Sequence, residues 1–333
     1  MAKEIKNICV IINPISGVGT KEKIPDIIAS YCTDKEIALT VLHTEYGGHA
    51  KALAEQACND GADCVIAVGG DGTVNEVAQS LLYSDAVLGI IPKGSGNGLA
   101  RELGIPLDVR QAVDVIFSNN VMTIDACKAN DRIFFCTCGV GFDAAISEEF
   151  AKEKRRGSLT YIKNVVEKYL DYKPEVYELQ IGENTFKGKA FLIACANGSQ
   201  YGNNAYIAPH ADICDGQIDI TILSPFKAFD IGGLAIQLFT KTIDKNSKIK
   251  TFRAKSAQII LQKAGVMHID GEPVVAPEEI NISVLCGAIK VFAPVSTPFA
   301  QDLQRHINDV FRFFEERFLY LTGSDSGAKD KSP

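Results

Sequence analysis

Apolar and polar positions along the chain fall into two regimes. In the first, short β-branched runs alternate with helical patterns. Ile8–Ile12, Ala38–His43, Cys64–Val68 and Val87–Ile91 read as strands. Lys21–Tyr31 and Ala50–Asn59 read as intervening helices, and Val74, Val77, Ala78, Leu81 and Leu82 recur at helical spacing behind the third strand. Leu99–Leu103 is a short helix broken by Gly104-Ile105-Pro106, and Asp108 stands where it caps Val109–Ser118. Alternation of this kind predicts a doubly wound parallel sheet with helices on both faces.

After Thr123 the texture changes. Arg132–Cys138, Val176–Ile181, Phe186–Ala196, Gln217–Leu223, Ser256–Gln262, Val266–Asp270, Asn281–Leu285 and Ile289–Phe292 are short, β-rich runs. They predict an antiparallel β-sandwich, with helical insertions at Glu148–Tyr172 and Ala228–Thr240. The expected division is an α/β domain over 1–125 and a β-rich domain over 126–292. Near the end, Leu303, Ile307, Val310, Phe311, Phe314, Phe318 and Leu321 share one stripe of a helix over Gln301–Leu321. Docking on the first domain (through 293–322), a homodimer contact and a membrane-surface helix are the uses open to it. Residues 323–333 are small and polar, as in a disordered tail.

The first regime carries its chemistry at strand ends. The third strand runs into Gly69-Gly70-Asp71-Gly72-Thr73, and the fourth into Pro92-Lys93-Gly94-Ser95-Gly96-Asn97-Gly98. The first strand runs into Asn13-Pro14-Ile15-Ser16-Gly17. In open α/β sheets, ligands bind outside the carboxyl ends of strands. Glycines let backbone N–H groups approach phosphate oxygens, and a helix N-terminus adds favourable partial charge. Asp71, alone among glycines, suits a metal ligand or a proton acceptor. No Walker A pattern is present.

Composition narrows the setting. The chain has 333 residues, enough for two well-packed domains, and 46% are hydrophobic, which excludes wholesale disorder. The formal charge of −7 gives no reason to expect nucleic acid. Ten scattered cysteines form no CxxC pair and read as small buried hydrophobes in a reducing compartment. No apolar run reaches the roughly 20 residues that span a bilayer. The expected location is cytoplasmic, peripheral at the membrane.

Gly69–Val77 (GGDGTVNEV) and Gly94–Ala100 (GSGNGLA) resemble the catalytic domain of the diacylglycerol kinase and sphingosine kinase family. NAD kinases share the GGDGT turn, but Asn75-Glu76 behind it points to lipid. The resemblance runs from Asn13 to about Phe292. It implies an ATP-dependent, Mg²⁺-requiring lipid kinase acting at a membrane surface. Diacylglycerol comes first as acceptor and a sphingoid base or ceramide as the alternative, because GSGN is closer to sphingosine and ceramide kinases. An NAD kinase and a non-catalytic nucleotide-binding sensor are the readings from other classes. The nucleotide contacts it implies are Asn13, Pro14, Ser16, Gly17, Thr44, Gly69, Gly70, Gly72, Thr73, Asn75, Glu76, Ser95, Gly96 and Asn97. His49 reads as a helix-start residue bonded to nearby backbone.

The second regime supplies acids. Asp212, Asp215 and Asp219 lie in a loop before a strand, a setting that suits a hard cation. The resemblance implies Mg²⁺ held by Asp212, Asp215 and the carbonyl of Gln217. His268-Ile269-Asp270-Gly271-Glu272-Pro273 resembles the segment that crosses the interdomain cleft, with Glu272 as proton acceptor. Asp71 and Glu272 are therefore both candidate bases. A carboxylate beside Mg²⁺ stays ionised and acts better as a ligand, which favours Glu272 as base and Asp71 as holder of Mg-ATP. Two basic stretches, Lys152–Arg156 and Lys241–Lys255, are candidates for phosphate or anionic-membrane contact, with a solvated face or loop as the alternative.

Overall fold

The computed structural model describes residues 4–17, 21–33, 35–152 and 172–295. The expected helix over 301–321 and the basic residues at 154–156 lie outside them.

The α/β lobe opens with β1 (Asn7–Ile12), α1 (Ile24–Thr33), β2 (Ala38–His43), α2 (His49–Asn59), β3 (Cys64–Gly69), α3 (Asp71–Ser80) and β4 (Val87–Pro92). These strands are parallel in the order β2-β1-β3-β4. All six residues of β3 and of β4 are buried, whereas edge strand β2 is not, as expected for a sheet covered on both faces. The order reverses between β1 and β3, so the turns after these two strands flank the topological switch point. Then come α4 (Gly98–Glu102) and α5 (Val109–Phe117). Asp108 caps α5 as expected, its Oδ1 accepting from Gln111 N–H at 3.1 Å.

The chain continues through β5 (Val121–Ala129), β6 (Arg132–Phe134), β7 (Thr137–Gly141), α6 (Phe142–Lys152), β8 (Glu175–Ile181), β9 (Asn184–Ala190), β10 (Leu192–Ala196), β11 (Ile218–Leu223) and α7 (Ile231–Phe239). It ends with β12 (Ile249–Ala254), β13 (Ser256–Leu261), β14 (Gly265–Ile269), β15 (Glu272–Ala276) and β16 (Glu279–Phe292). Strands β12-β11-β10-β7-β14-β15 make an antiparallel sheet. It packs on β8, β13 and β16 through Leu179, Ile193, Ile220, Ile259, Ile280 and their neighbours. The fold is thus a parallel α/β lobe followed by an antiparallel sandwich.

The lobes are not joined by a linker. The 14-residue β16 pairs antiparallel with β5 and β13 and, at Lys290 and Val291, parallel with β4. One sheet therefore runs β2-β1-β3-β4-β16-β13-β8-β9 through both lobes. The boundary expected at residue 125 falls inside β5. The two runs expected at Asn281–Leu285 and Ile289–Phe292 are one strand with an irregularity between Leu285 and Ile289. The single run expected over Phe186–Ala196 is two strands in different sheets, with Phe191 between them.

Asp125, 2% exposed, secures the seam. Its two carboxylate oxygens accept from Gly216 and Gly287 N–H groups, each at 2.6 Å. Replacing it leaves two inward-facing donors unmet. Asp125→Ala is expected to cost about 3 kcal/mol, read as a lower urea midpoint with an unchanged slope.

Candidate active site

Three strand-end turns of the α/β lobe stack backbone to backbone. Lys93 N–H donates to Gly69 O at 2.6 Å. Gly70 and Gly94 lie so close that a Cβ on Gly94 would stand 2.5 Å from Gly70 Cα. Gly17, at φ +66°, is packed so tightly on the Lys93 carbonyl that a Cβ there would overlap it. Asn13 Nδ2 donates to Thr73 Oγ1 at 3.1 Å, joining the turn after β1 to α3. These turns bring Asn13, Ser16, Gly17, Gly69, Gly70, Gly72, Thr73, Ser95, Gly96 and Asn97 together. Pro14 and Ser95 stand exposed. Thr44 is buried beside them, its N–H donating to Ile12 O.

Asp71 opens α3. Its Oδ1 accepts from Gly98 N–H at 2.5 Å and its Oδ2 from Asn97 N–H at 2.8 Å. The carboxylate thereby fixes the turn after β4. Asn97, in the left-handed region at φ 50°, completes it: Oδ1 accepts from Gly94 N–H and Nδ2 donates to Gly94 O. The Asn97 side chain closes its own turn instead of reaching outward. Burial raises the Asp71 carboxyl above its ordinary value, and the two amide bonds oppose that rise.

The second lobe reaches the same place through the β14–β15 hairpin. Its loop is Asp270-Gly271, both at positive φ (46° and 85°), with Ile269 opposite Glu272. Asp270 accepts from the consecutive N–H groups of Phe135, Cys136 and Thr137 at 2.8–3.0 Å and from Asn75 Nδ2 at 2.8 Å. Burial raises its carboxyl too, against those four bonds. Glu272 then stands exposed over α3, where a Cβ on Gly72 would be 3.6 Å from Glu272 Oε1. Glu272 thus stands over the first turn of the helix that Asp71 opens. Asp71, Asn75, Thr137, Tyr201 and Asp270 line a small recess.

Two expected nucleotide residues have other partners. Glu76 accepts from Gly48 and Ala50 N–H groups at 2.8 and 3.1 Å, which satisfies the start of α2. Asn75 bridges the lobes through Asp270. His49 behaves as expected, its Nδ1 accepting from Glu45 N–H.

The loop expected to hold Mg²⁺ is closed by its own acids. Asp212 accepts from Cys214 N–H and Asp215 from Gln217 N–H, both local turns. Arg253 lies 3.4 Å from Asp215 Oδ2 and 3.1 Å from Asp219 Oδ2, so one guanidinium is shared by two of the three acids. Among the described residues no group of three or more His, Cys, Asp or Glu is arranged to hold a metal.

Residues 7–129 match the diacylglycerol kinase catalytic domain. Residues 136–293 match the YegS C-terminal NAD kinase beta sandwich-like domain. An Enterobacter sp. (strain 638) protein named "Probable lipid kinase YegS-like" is 30% identical over 275 residues, covering 80% of this chain and 89% of its own. The chain belongs to this family of lipid kinases. A Salmonella arizonae protein named "Probable lipid kinase YegS" is likewise 30% identical over 273 residues, with the same coverage. A solved diacylglycerol kinase of Bacillus anthracis superposes with a TM-score of 0.69 at 22% identity, covering 88% of this chain and 98% of that one, which establishes likeness of fold.

Sequence reasoning missed two parts of this lipid kinase's site. Lys21, 7% exposed, turns its ammonium onto the Asn13 and Ser16 carbonyls and, at 2.7 Å, Ser16 Oγ. Burial lowers its affinity for a proton, as does Lys93 nearby. A lysine just behind a glycine turn was the available signal. The other is a buried cluster: Asp143 Oδ2 accepts from Tyr201 OH at 3.1 Å and lies 3.2 Å from His268 Nε2. These come from three distant segments, with no local pattern to mark them.

The raised carboxyl of Asp71 sets a pH dependence. Its ionisation opposes folding at neutral pH, and that cost fades as pH falls through the raised value toward 3.8. Asp71→Asn carries no such titration. The wild type is expected to gain stability relative to Asp71→Asn between about pH 7 and about pH 4.5, measured by paired urea melts; a flat or falling difference contradicts the assignment.

Proposed function

We propose that this lipid kinase transfers the γ-phosphoryl group of ATP to the free hydroxyl of a diacylglycerol, giving phosphatidic acid. The observation that carries the reading is Glu272, an exposed carboxylate held over the amino end of α3, where the three glycine turns meet. Phosphoryl transfer needs anchored phosphates and an oriented hydroxyl more than covalent chemistry by the protein. The turns after β1, β3 and β4 offer backbone N–H groups, and α3 adds its positive end. In this reading Glu272 accepts the hydroxyl proton while the alcohol oxygen bonds to the γ-phosphorus. The bond from that phosphorus to the β,γ-bridging oxygen breaks, and ADP leaves. Asp71 holds the turn after β4 in shape, which favours Glu272 over Asp71 as base. Magnesium enters only as the ion ATP carries, neutralising phosphate charge when bound; no step is assigned to Asp212, Asp215 or Gln217.

A lipid acceptor is supported by an apolar cavity of ≈ 180 Å³ in the second lobe, walled by Phe142, Phe191, Ile207, Leu234 and Leu238 among others. Tyr201 lines both this cavity and the polar recess at Asp71. A hydrocarbon tail in the first places a hydroxyl near the second. The GSGN turn, Gly94–Asn97, keeps a sphingoid base or ceramide as the alternative acceptor. One sheet runs through both lobes, and the acids on both sides favour an enzyme over a sensor.

Labelled ATP offered with diacylglycerol, sphingosine, ceramide and NAD tests the reading. Label in phosphatidic acid is expected; label in NADP, or in no product, overturns it. Glu272→Gln is expected to keep the wild-type melting temperature and ATP KM while kcat falls by about 10²–10⁴. Near-normal kcat removes Glu272 from the proton transfer.

A further inference from the structure

Helix α7 departs from the usual pattern of a surface helix. Its nine residues, IGGLAIQLF, include no charge, yet Leu234 is the one buried among them. Ile231, Leu234, Ala235 and Leu238, at the i, i+3, i+4, i+7 spacing, line the apolar cavity. The opposite side carries Ile236, 46% exposed, and the preceding turn carries Phe229, 79% exposed. Among the described residues nothing lies within 4 Å of a Cβ built at Gly232 or Gly233. A helix facing water normally sets charges on its outer side. Here they stand at its two ends.

Those ends are basic. Lys227 precedes the helix and Lys241 and Lys245 follow it, all exposed. Of the nearby acids, Asp230 accepts from Lys227 N–H, and Asp244 pairs with His210 at 3.3 Å. Lys227 and Lys241 also place their ammonium groups over the rings of Phe229 and Tyr206, at 5.9 and 4.2 Å. An uncharged side bracketed by lysines complements a bilayer with anionic headgroups. Apolar groups enter the acyl boundary, while ammonium groups stay among phosphates.

We propose that residues 227–245 are the surface by which the protein seats on an anionic membrane, with α7 as the wall between bilayer and cavity. The membrane role stands on the helix itself; the passage of a lipid past it rests on the acceptor reading above. A tail crossing here moves about one helix diameter, ~10 Å, without meeting bulk water. The proposal extends the basic run Lys241–Lys255, part of which is strand β12 and pairs with β11.

Flotation with phosphatidylcholine vesicles, with and without phosphatidylglycerol, tests it on the full chain. The wild type is expected to float with the anionic vesicles. Phe229→Glu/Ile236→Glu and, separately, Lys227→Gln/Lys241→Gln/Lys245→Gln are expected to bind them about tenfold or more weakly. Both variants keep the wild-type melting temperature and phosphorylate a short-chain diacylglycerol in detergent micelles within about twofold of wild type. Wild-type affinity in the Phe229/Ile236 variant, or equal binding to neutral vesicles, overturns the proposal. So does a dimer, seen by light scattering, that this variant dissociates while vesicle binding is unchanged. If the wild type floats as expected but labels no lipid, the seating surface stands and the acceptor reading fails.

Discussion

The carboxylate of Asp270 accepts three successive backbone N–H groups and the Asn75 amide, and the meeting of the two lobes depends on it. A carboxylate withdrawn from water is costly unless its lone pairs are met. Here three donors come from the β6–β7 connection of its own lobe and the fourth, the Asn75 amide, from α3, so completing the shell ties the second lobe to the first. The geometry then propagates along the chain. Asp270 and Gly271 take positive φ, the compact two-residue hairpin turns the strand back, and the next residue, Glu272, arrives over α3. The residue that ties the lobes and the residue we propose for proton transfer are thus two positions apart on one turn.

The other side of the crevice is built from backbone. Where Gly70 meets Gly94 and Gly17 meets the Lys93 carbonyl there is no room for side chains. The polar side chains around them, Asp71, Asn97, Asn13 and Lys21, mostly shape these turns. Their work is to hold N–H groups in place before any ligand comes, which is where preorganised electrostatic stabilisation originates.

Much of the α/β lobe was legible because its strands are buried on both faces and read as unbroken apolar runs, as β3 and β4 do. The GGDGT turn and the Asp270-Gly271-Glu272 turn were also legible, since each combines conformational need with chemistry over a few residues. What could not be read was pairing at a distance. Nothing local says that Phe191 separates strands of different sheets, that β16 spans both lobes, or that Glu76 serves the amides of α2. The surroundings of the Asp212–Gln217 loop were hidden for a related reason. Its spacing suits a cation, but the cation beside it is Arg253, which arrives from β12, a strand hidden inside a lysine-rich stretch.

The reach of β16 has a consequence for biogenesis. The open flank of β4 finds its partners at Lys290 and Val291, about 200 residues later in translation. At ordinary ribosomal speeds that is a delay of roughly 10–40 s. Throughout it, the nascent α/β lobe presents an unpaired apolar strand border, the kind of surface on which chains associate wrongly. Yield in the cell therefore depends on how that border is sheltered until synthesis nears its end.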